Sequence, residues 1–248
     1  MCLDKYCSRI MQCMHHIPEN SEEMSSVELL KWACDEFRGK VAFACSFGAE
    51  DIVLLHQLST LSDGHRKSVR VFTLDTGRLP EETYALMEEA AERFNIHFEI
   101  YFPDAVEVER MVSAHGINLF YRSTELRKLC CETRKVRPLA RALEGMEAWI
   151  TGLRRDQAET RSQVPKVGQD REREGLMKIC PLVDWTSKQV WDYIREWHLP
   201  YNRLFDRGYR SIGCAPCTRA VGPWEDERAG RWYWEKGAKE CGLHYSMK

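Results

Sequence analysis

Short apolar runs alternate with amphipathic stretches from residue 26 onward, and that alternation predicts strands separated by helices. Val41-Ala-Phe-Ala-Cys45 is a continuous apolar run, as in a strand buried on both faces. Val69–Leu74, His97–Phe102 and Glu147–Thr151 read as three more strands, and Leu176–Val183 as a shorter extended segment. Between them lie helical patterns. Val27–Phe37 places Leu29, Leu30 and Ala33 on one face, with Ser26 as its N-cap. Asp51–Leu58, Glu81–Phe94 and Ala105–His115 follow, the second of these opening at Pro80 in the first helical turn. Ser187–Trp197 is strongly amphipathic. Strands spaced by helices predict an α/β fold with a parallel, doubly wound sheet. Residues 1–25 are polar with scattered Met and Cys and read as loosely ordered, leaving 26–248 as one domain.

In such folds ligands sit outside the carboxyl ends of the strands. Three polar, glycine-containing turns fall there. Ser46-Phe-Gly-Ala-Glu-Asp51 follows the first strand, where Ser46 and Gly48 open a helix N-terminus and suit a phosphate or nucleotide. Asp75-Thr-Gly77-Arg follows Leu74 at the end of the second. Gly152-Leu-Arg154-Arg155-Asp follows the fourth, where the arginine pair is placed to meet an anion. Each turn alone is also compatible with an ordinary βα connection, and the arginines with a solvated corner. Together, on one sheet edge, they predict a site.

Composition narrows the class. The chain has 248 residues, 44% of them hydrophobic, which supports a sizeable core. A net charge of −2 gives no global drive toward nucleic acid or membrane, so any cationic function is local. No stretch approaches the ~18 apolar residues of a membrane span, and the first residues carry no apolar signal core. These features predict a cytoplasmic protein with no membrane or nucleic-acid partner. The eleven cysteines then read as metal-binding or catalytic rather than as a disulfide framework.

The cysteine spacing is the strongest chemical signal. Cys130–Cys131 and Cys214-Ala-Pro-Cys217 form two close pairs, and Cys241 stands apart near the end. Two pairs make one four-thiolate site. Adjacent thiolates close poorly on a single tetrahedral zinc, whereas a 4Fe–4S cube offers separate corners. A zinc half-site or plain semi-buried cysteines remain open alternatives. Cys45 reads as a buried strand cysteine, and Cys2, Cys7 and Cys13 as incidental. Basic residues gather nearby: Arg127, Lys128, Arg134, Lys135 and Arg137 around the first pair, and Arg228 and Arg231 after the second. Arg228 and Arg231 are spaced to share a helix face and grip an oxyanion, or to form a solvent-facing stripe.

Six stretches carry a resemblance. Ser46–Asp51, Thr73–Arg78, Cys130-Cys-Glu-Thr-Arg-Lys-Val-Arg-Pro138, Thr151-Gly-Leu-Arg-Arg-Asp-Gln157, Gly213-Cys-Ala-Pro-Cys-Thr218 and Glu240-Cys-Gly-Leu-His244 resemble the assimilatory sulfonucleotide reductases. Within that family they look like the iron–sulfur adenosine 5′-phosphosulfate (APS) reductases. The resemblance runs from about residue 40 to the C-terminus. It implies an adenine-nucleotide α-hydrolase-like fold with a flexible catalytic tail over 225–248. It implies a 4Fe–4S cluster on Cys130, Cys131, Cys214 and Cys217. Ser46, Gly48, Leu74, Gly77 and Gly152 would hold the nucleotide. Lys135, Arg228 and Arg231 would hold the sulfate, with Lys135 coupling it to the cluster. Cys241 would attack the substrate sulfur and release AMP, His244 and the two arginines lowering its pKa. A thioredoxin or similar dithiol protein would then release sulfite.

Three alternatives stay open at this stage. The substrate is also compatible with the 3′-phosphorylated analogue (PAPS), although no clear extra basic group is assigned to a 3′-phosphate. An ATP-dependent iron–sulfur tRNA thiolase shares the fold, but Ser46–Asp51 lacks the second glycine and final serine of its loop. A zinc-held nucleic-acid-binding module would use the basic residues around Cys130. Trp232-Tyr-Trp234 is expected to pack the tail, and a homo-oligomer is compatible with all of these readings.

Overall fold

The computed structural model describes residues 15–236 apart from 171 and 174. Its strands are β1 (Val41–Ala44), β2 (Val69–Leu74), β3 (Glu99–Tyr101), β4 (Ala148–Ile150), β5 (Val167–Gln169) and β6 (Met177–Ile179). They form one sheet in the order β3-β2-β1-β4-β6-β5. All neighbours pair in parallel except β5 with β6, which are antiparallel. The sheet is therefore mostly parallel, closed at one edge by an antiparallel strand. Successive strands run outward from β1 to β3 on one side and from β4 on the other. That reversal between β1 and β4 is the switch point at which open α/β sheets bind ligands.

The helices are α1 (Ser26–Phe37), α2 (Ala49–Ser59), α3 (Asp63–Ser68), α4 (Glu81–Phe94), α5 (Ala105–His115), α6 (Thr124–Cys131), α7 (Arg137–Ala142) and α8 (Ser187–Glu196). α1 begins one residue earlier than its pattern predicts. Ser25 caps it, accepting from Glu28 N while Glu28 Oε2 accepts from Ser25 N at 2.7 Å. Pro80 stands at the N-cap of α4, whose bounds are those its pattern predicts. In α2, Ile52, Val53, Leu54 and Leu55 are all at most marginally exposed, so this helix is buried all round against the sheet.

α6 and α7 are joined without a loop. Glu132–Val136 between them is a π-helical turn, in which Arg137 N–H reaches back to Glu132 O. One extra residue in the turn re-aims the side chains on either side of it, a device frequent at functional sites. It also accommodates Pro138, whose ring would clash with a carbonyl in a regular helix interior.

The polar segment before α1 is tied down where it is described. The imidazole of His15 lies 3.2 Å from both Glu36 and Glu147 carboxylates, and Glu22 accepts from Arg155 and from Lys166 N. At the other end, residues 226–231 are turns, not the helix expected to align Arg228 and Arg231. Ala229 N bonds Asp226 O, Arg231 N bonds Arg228 O, and Arg231 bridges to Thr218. Trp232 is buried between the guanidiniums of Arg127 and Arg231, each 4.7 Å from its ring. The buried pair Arg127–Glu235, at 2.9 Å, anchors the segment on α6. Among the described residues, no helix is long and apolar enough to cross a membrane.

Candidate active site

Two cavities adjoin at the carboxyl edge of the sheet. The larger is a cleft of about 200 Å³. Its walls come from the ends of β1, β2 and β4, the π turn, and residues 210–213 and 227–231. Of the residues singled out in the sequence, Ser46, Gly48, Leu74, Lys135, Gly152, Arg228 and Arg231 line it.

The β1 turn is shaped from within. Asp51, in the first turn of α2, accepts from Ser46 N at 2.6 Å and Ser46 Oγ at 2.7 Å. Phe47 turns the chain with φ 59°, a left-handed conformation costly for a side chain of that size, and its ring is buried against Phe98. Gly152 approaches this turn so closely that a Cβ would meet Asp51 Oδ1 and come within 2.9 Å of Glu50 Cβ. Gly48 leaves the N-terminus of α2 facing the cleft, as anion binding requires.

Burial pushes the Asp51 carboxyl up from 3.8 to about 6, against the pull of its Ser46 hydrogen bonds. The folded protein thus holds this proton more tightly than the unfolded chain, and stability contributed by the site falls as pH rises from about 4 to about 6. Asp51→Asn keeps an oxygen acceptor and removes the charge. It is expected to gain stability relative to the parent as pH rises through that window, by up to about 3 kcal/mol at neutral pH. Thermal melts at pH 4.5 and 7.5 check this; an equal difference at both would show that Asp51 is not held protonated.

The second turn serves differently. Gly77 does not line the cleft; it takes φ 69° and its N–H donates to Asp75 Oδ1. The turn braces the other cavity instead. Thr76 Oγ1 lies 3.3 Å from Cys214 Sγ, Arg134 donates to Thr76 O at 2.6 Å, and Ala215 N donates to Arg78 O.

The arginines after β4 do not face the anion that their position predicts. Neither lines the cleft. Arg154 is 1% exposed, and its guanidinium is bonded to Glu50, Asp156 and both oxygens of Glu227. Arg155 points away, to Val164 O and Glu22. A cation at a strand end met the protein's own carboxylates, brought from residues 104 and 73 positions away. Arg161, unmarked by any motif, lines the cleft in their stead and donates to Gln157. Its buried position among polar neighbours left no periodic or motif signal.

The smaller cavity is lined by all four paired cysteines, Cys130, Cys131, Cys214 and Cys217, with Arg78, Arg127, Arg134, Lys135, Arg231 and Trp232. Burial pushes the Cys217 thiol up to about 12, reinforced by Cys214, and burial also raises Cys130. Cys214 is held below its ordinary value. Burial opposes this, but the Lys135 charge, the Thr76 hydroxyl and the Arg231 charge prevail. Among the described residues, no three His, Cys, Asp or Glu side chains are arranged to hold a single metal ion. Four soft thiol donors from two segments, ringed by cations, fit in kind a larger anionic group that offers each sulfur its own corner. Cys45 and Cys180 are apart from this set, buried in the core with thiols pushed well up by desolvation, Cys180 to about 11. Cys241 and His244 lie outside the described residues, as do Cys2, Cys7 and Cys13.

Lys135 and Arg231 each line both cavities. Arg231 passes Gly213 so tightly that a Cβ there would come within 2.6 Å of its guanidinium carbon. Its Nε is buried with no hydrogen-bond partner among the described residues, a donor left over by the fold.

The phosphoadenosine phosphosulfate reductase domain matches residues 40–220, a span that includes both cysteine pairs and every wall of the cleft before residue 221. The chain belongs to that family. It is 46% identical over 92% of its length to a protein of Burkholderia cepacia named adenosine 5′-phosphosulfate reductase, covering 89% of that protein. One of the same name in Allochromatium vinosum is also 46% identical, with 90% and 86% covered. Among solved structures, a phosphoadenylyl-sulfate reductase from Candida auris, in complex with phosphate, superposes with TM-score 0.69 at 31% identity, over 84% of this chain and 97% of that one. FMN adenylyltransferase of Candida glabrata, at 13% identity and TM-score 0.52, shares the fold alone.

Proposed function

We propose that the protein reduces adenosine 5′-phosphosulfate to sulfite and AMP, as part of sulfate assimilation. The observation that carries this reading is the pair of cations, Lys135 and Arg231, common to the nucleotide-sized cleft and the four-thiol cavity. The relatives named for APS reduction support the same substrate.

The residues divide the work by position. The end of β1 and Gly48 take the phosphate at the α2 N-terminus, while Gly152 lets the end of β4 close against that turn and line the cleft beside it. Lys135, Arg228 and Arg231, joined by Arg161, offer charge to the sulfate oxygens. Cys130, Cys131, Cys214 and Cys217 would hold a 4Fe–4S cluster. Bound there, such a group supplies a fixed, polarisable charge at the end of the cleft, which Lys135 shares with the substrate.

Cys241 thiolate attacks the substrate sulfur. The S–O bond to the phosphate breaks, AMP leaves with the electron pair, and Cys241 carries an S-sulfonate. A thiolate of a thioredoxin-type dithiol protein then attacks the Cys241 sulfur and expels sulfite. Its second thiol closes the disulfide, so the two electrons come from that dithiol. His244, close in sequence to Cys241, supplies positive charge that favours the thiolate. Protein purified without oxygen is expected to carry about four irons with matching sulfide, and to release sulfite and AMP from APS with thioredoxin as reductant. A higher kcat/KM on the 3′-phosphorylated substrate would overturn the choice of APS, and zinc without sulfide would overturn the cluster.

A further inference from the structure

We infer that Glu227 is a positioning residue: through Arg154 it fixes where the adjacent Arg228 stands relative to the nucleotide. This rests on the reaction proposed above. The segment carrying the two arginines is a succession of turns with no helix or long strand to place it. Around Arg231 the backbone is fastened, Arg219 N donating to Gly230 O and Trp232 N to Cys217 O, each at 3.1 Å. Ahead of that bridge, at Glu227 and Arg228, placement depends on side-chain tethers. Glu225 is held by Arg219, and Glu235 by Arg127, so those tethers run to the neighbouring segment and to α6. Glu227 runs elsewhere. Both of its oxygens lie 3.1 Å from Arg154 Nη2.

Arg154 is the hub of that tether. It stands two residues after Gly152 and is 1% exposed. Its Nε donates at 2.6 Å to Glu50, which belongs to the β1 turn. Gln157 adds a second strand to the link, donating to Glu50 at 3.0 Å and accepting from Arg161. The guanidinium fork is rigid and planar, so two carboxylates bound to it hold a fixed mutual geometry. The turn that receives the phosphate and the segment that receives the sulfate are thereby joined through one buried cation. Glu227 also lines the cleft beside Arg228, so a small displacement of its carboxylate is passed directly to the adjacent residue.

Glu50 stands at the phosphate-turn end of this link and Glu227 at the other, bonded to Arg154, and this gives the inference its signature. Glu227→Gln keeps the shape and replaces one charged acceptor by an amide whose N–H₂ faces the guanidinium. Arg228 is then expected to shift by enough to cost on the order of 10²-fold in kcat/KM for APS, the scale of an ångström of misplacement. The inhibition constant of AMP, which lacks the sulfate, should stay within about 2-fold of the parent, by the same separation of binding from catalysis. Arg154→Lys, which loses the fork and with it the hold on Glu50 in the phosphate turn, should instead weaken AMP and lower kcat/KM together. The measurement is sulfite release from APS at varied AMP, made on the iron-loaded enzyme with thioredoxin in excess. If AMP affinity falls together with kcat/KM in Glu227→Gln, Glu227 only supports the fold and the inference is wrong. If neither changes, it is equally wrong. Failure of the parent enzyme to release sulfite from APS would instead refute the reaction, an outcome visible before either variant is assayed.

Discussion

Cys241→Ser should release no measurable sulfite from APS while binding AMP as the parent does and keeping its iron. Removing a nucleophile that forms a covalent intermediate costs on the order of 10⁶-fold in well-studied hydrolases, and no described cysteine is placed to take over. Cys45 and Cys180 are buried and hold their protons tightly, so they are poor thiolates at neutral pH. The four cysteines of the small cavity are the ligands of the proposed cluster. The parent enzyme mixed with APS and no dithiol should release one equivalent of AMP and accumulate a sulfonate on Cys241, seen by mass spectrometry of the C-terminal peptide. A sulfonate on any other cysteine, or turnover by the serine variant, would show that the nucleophile is misassigned.

Lys135→Ala should lower kcat/KM for APS by about 10²- to 10³-fold, the usual effect of deleting one preorganised charge from a reaction centre. Lys135 stands in the π turn, four residues after Cys131, and lines both cavities. Its charge is the largest influence opposing burial at Cys214, and it also opposes the burial that raises Cys130 and Cys217. The variant therefore removes a cation from the thiols and from the sulfate at once. It leaves all four thiols in place, so iron content should hold. Activity within about 3-fold of the parent would mean that the two cavities are neighbours without electrostatic consequence.

The sheet's centre was legible because its strands are largely buried and rich in apolar and β-branched residues, unbroken in Val41–Ala44 and interrupted by Arg70 and Thr73 in the next. Val69–Leu74 has the predicted bounds in the structure. The antiparallel edge strand was not legible. Val167-Gly-Gln169 is short, contains glycine and is only partly buried, so neither periodicity nor composition marks it. The helical run from Thr124 to Ala142 was equally hidden. Its charged middle and Pro138 break the apolar repeat, and the π turn shifts whatever repeat remains. In the site, backbone-defined positions such as Ser46, Gly48 and Gly152 could be read from turn chemistry. Side-chain partnerships could not. Arg154 looked like an anion ligand because the carboxylates that occupy it come from distant parts of the chain.

The π turn has a further consequence for how this segment can vary. A helix normally behaves as one rigid screw, so rotating one end rotates the other. Here the widened turn separates two phases: α7 sets Leu139 and Ala142 into the sheet's apolar cover, while α6 sets Cys131 toward the thiol cavity. Each residue gained or lost between them turns one phase against the other by roughly 100°. The spacing from Cys131 to Leu139 is thus as fixed as any residue identity within it, and this stretch has the length constraint of a gear train although it reads, on composition, like a polar surface helix.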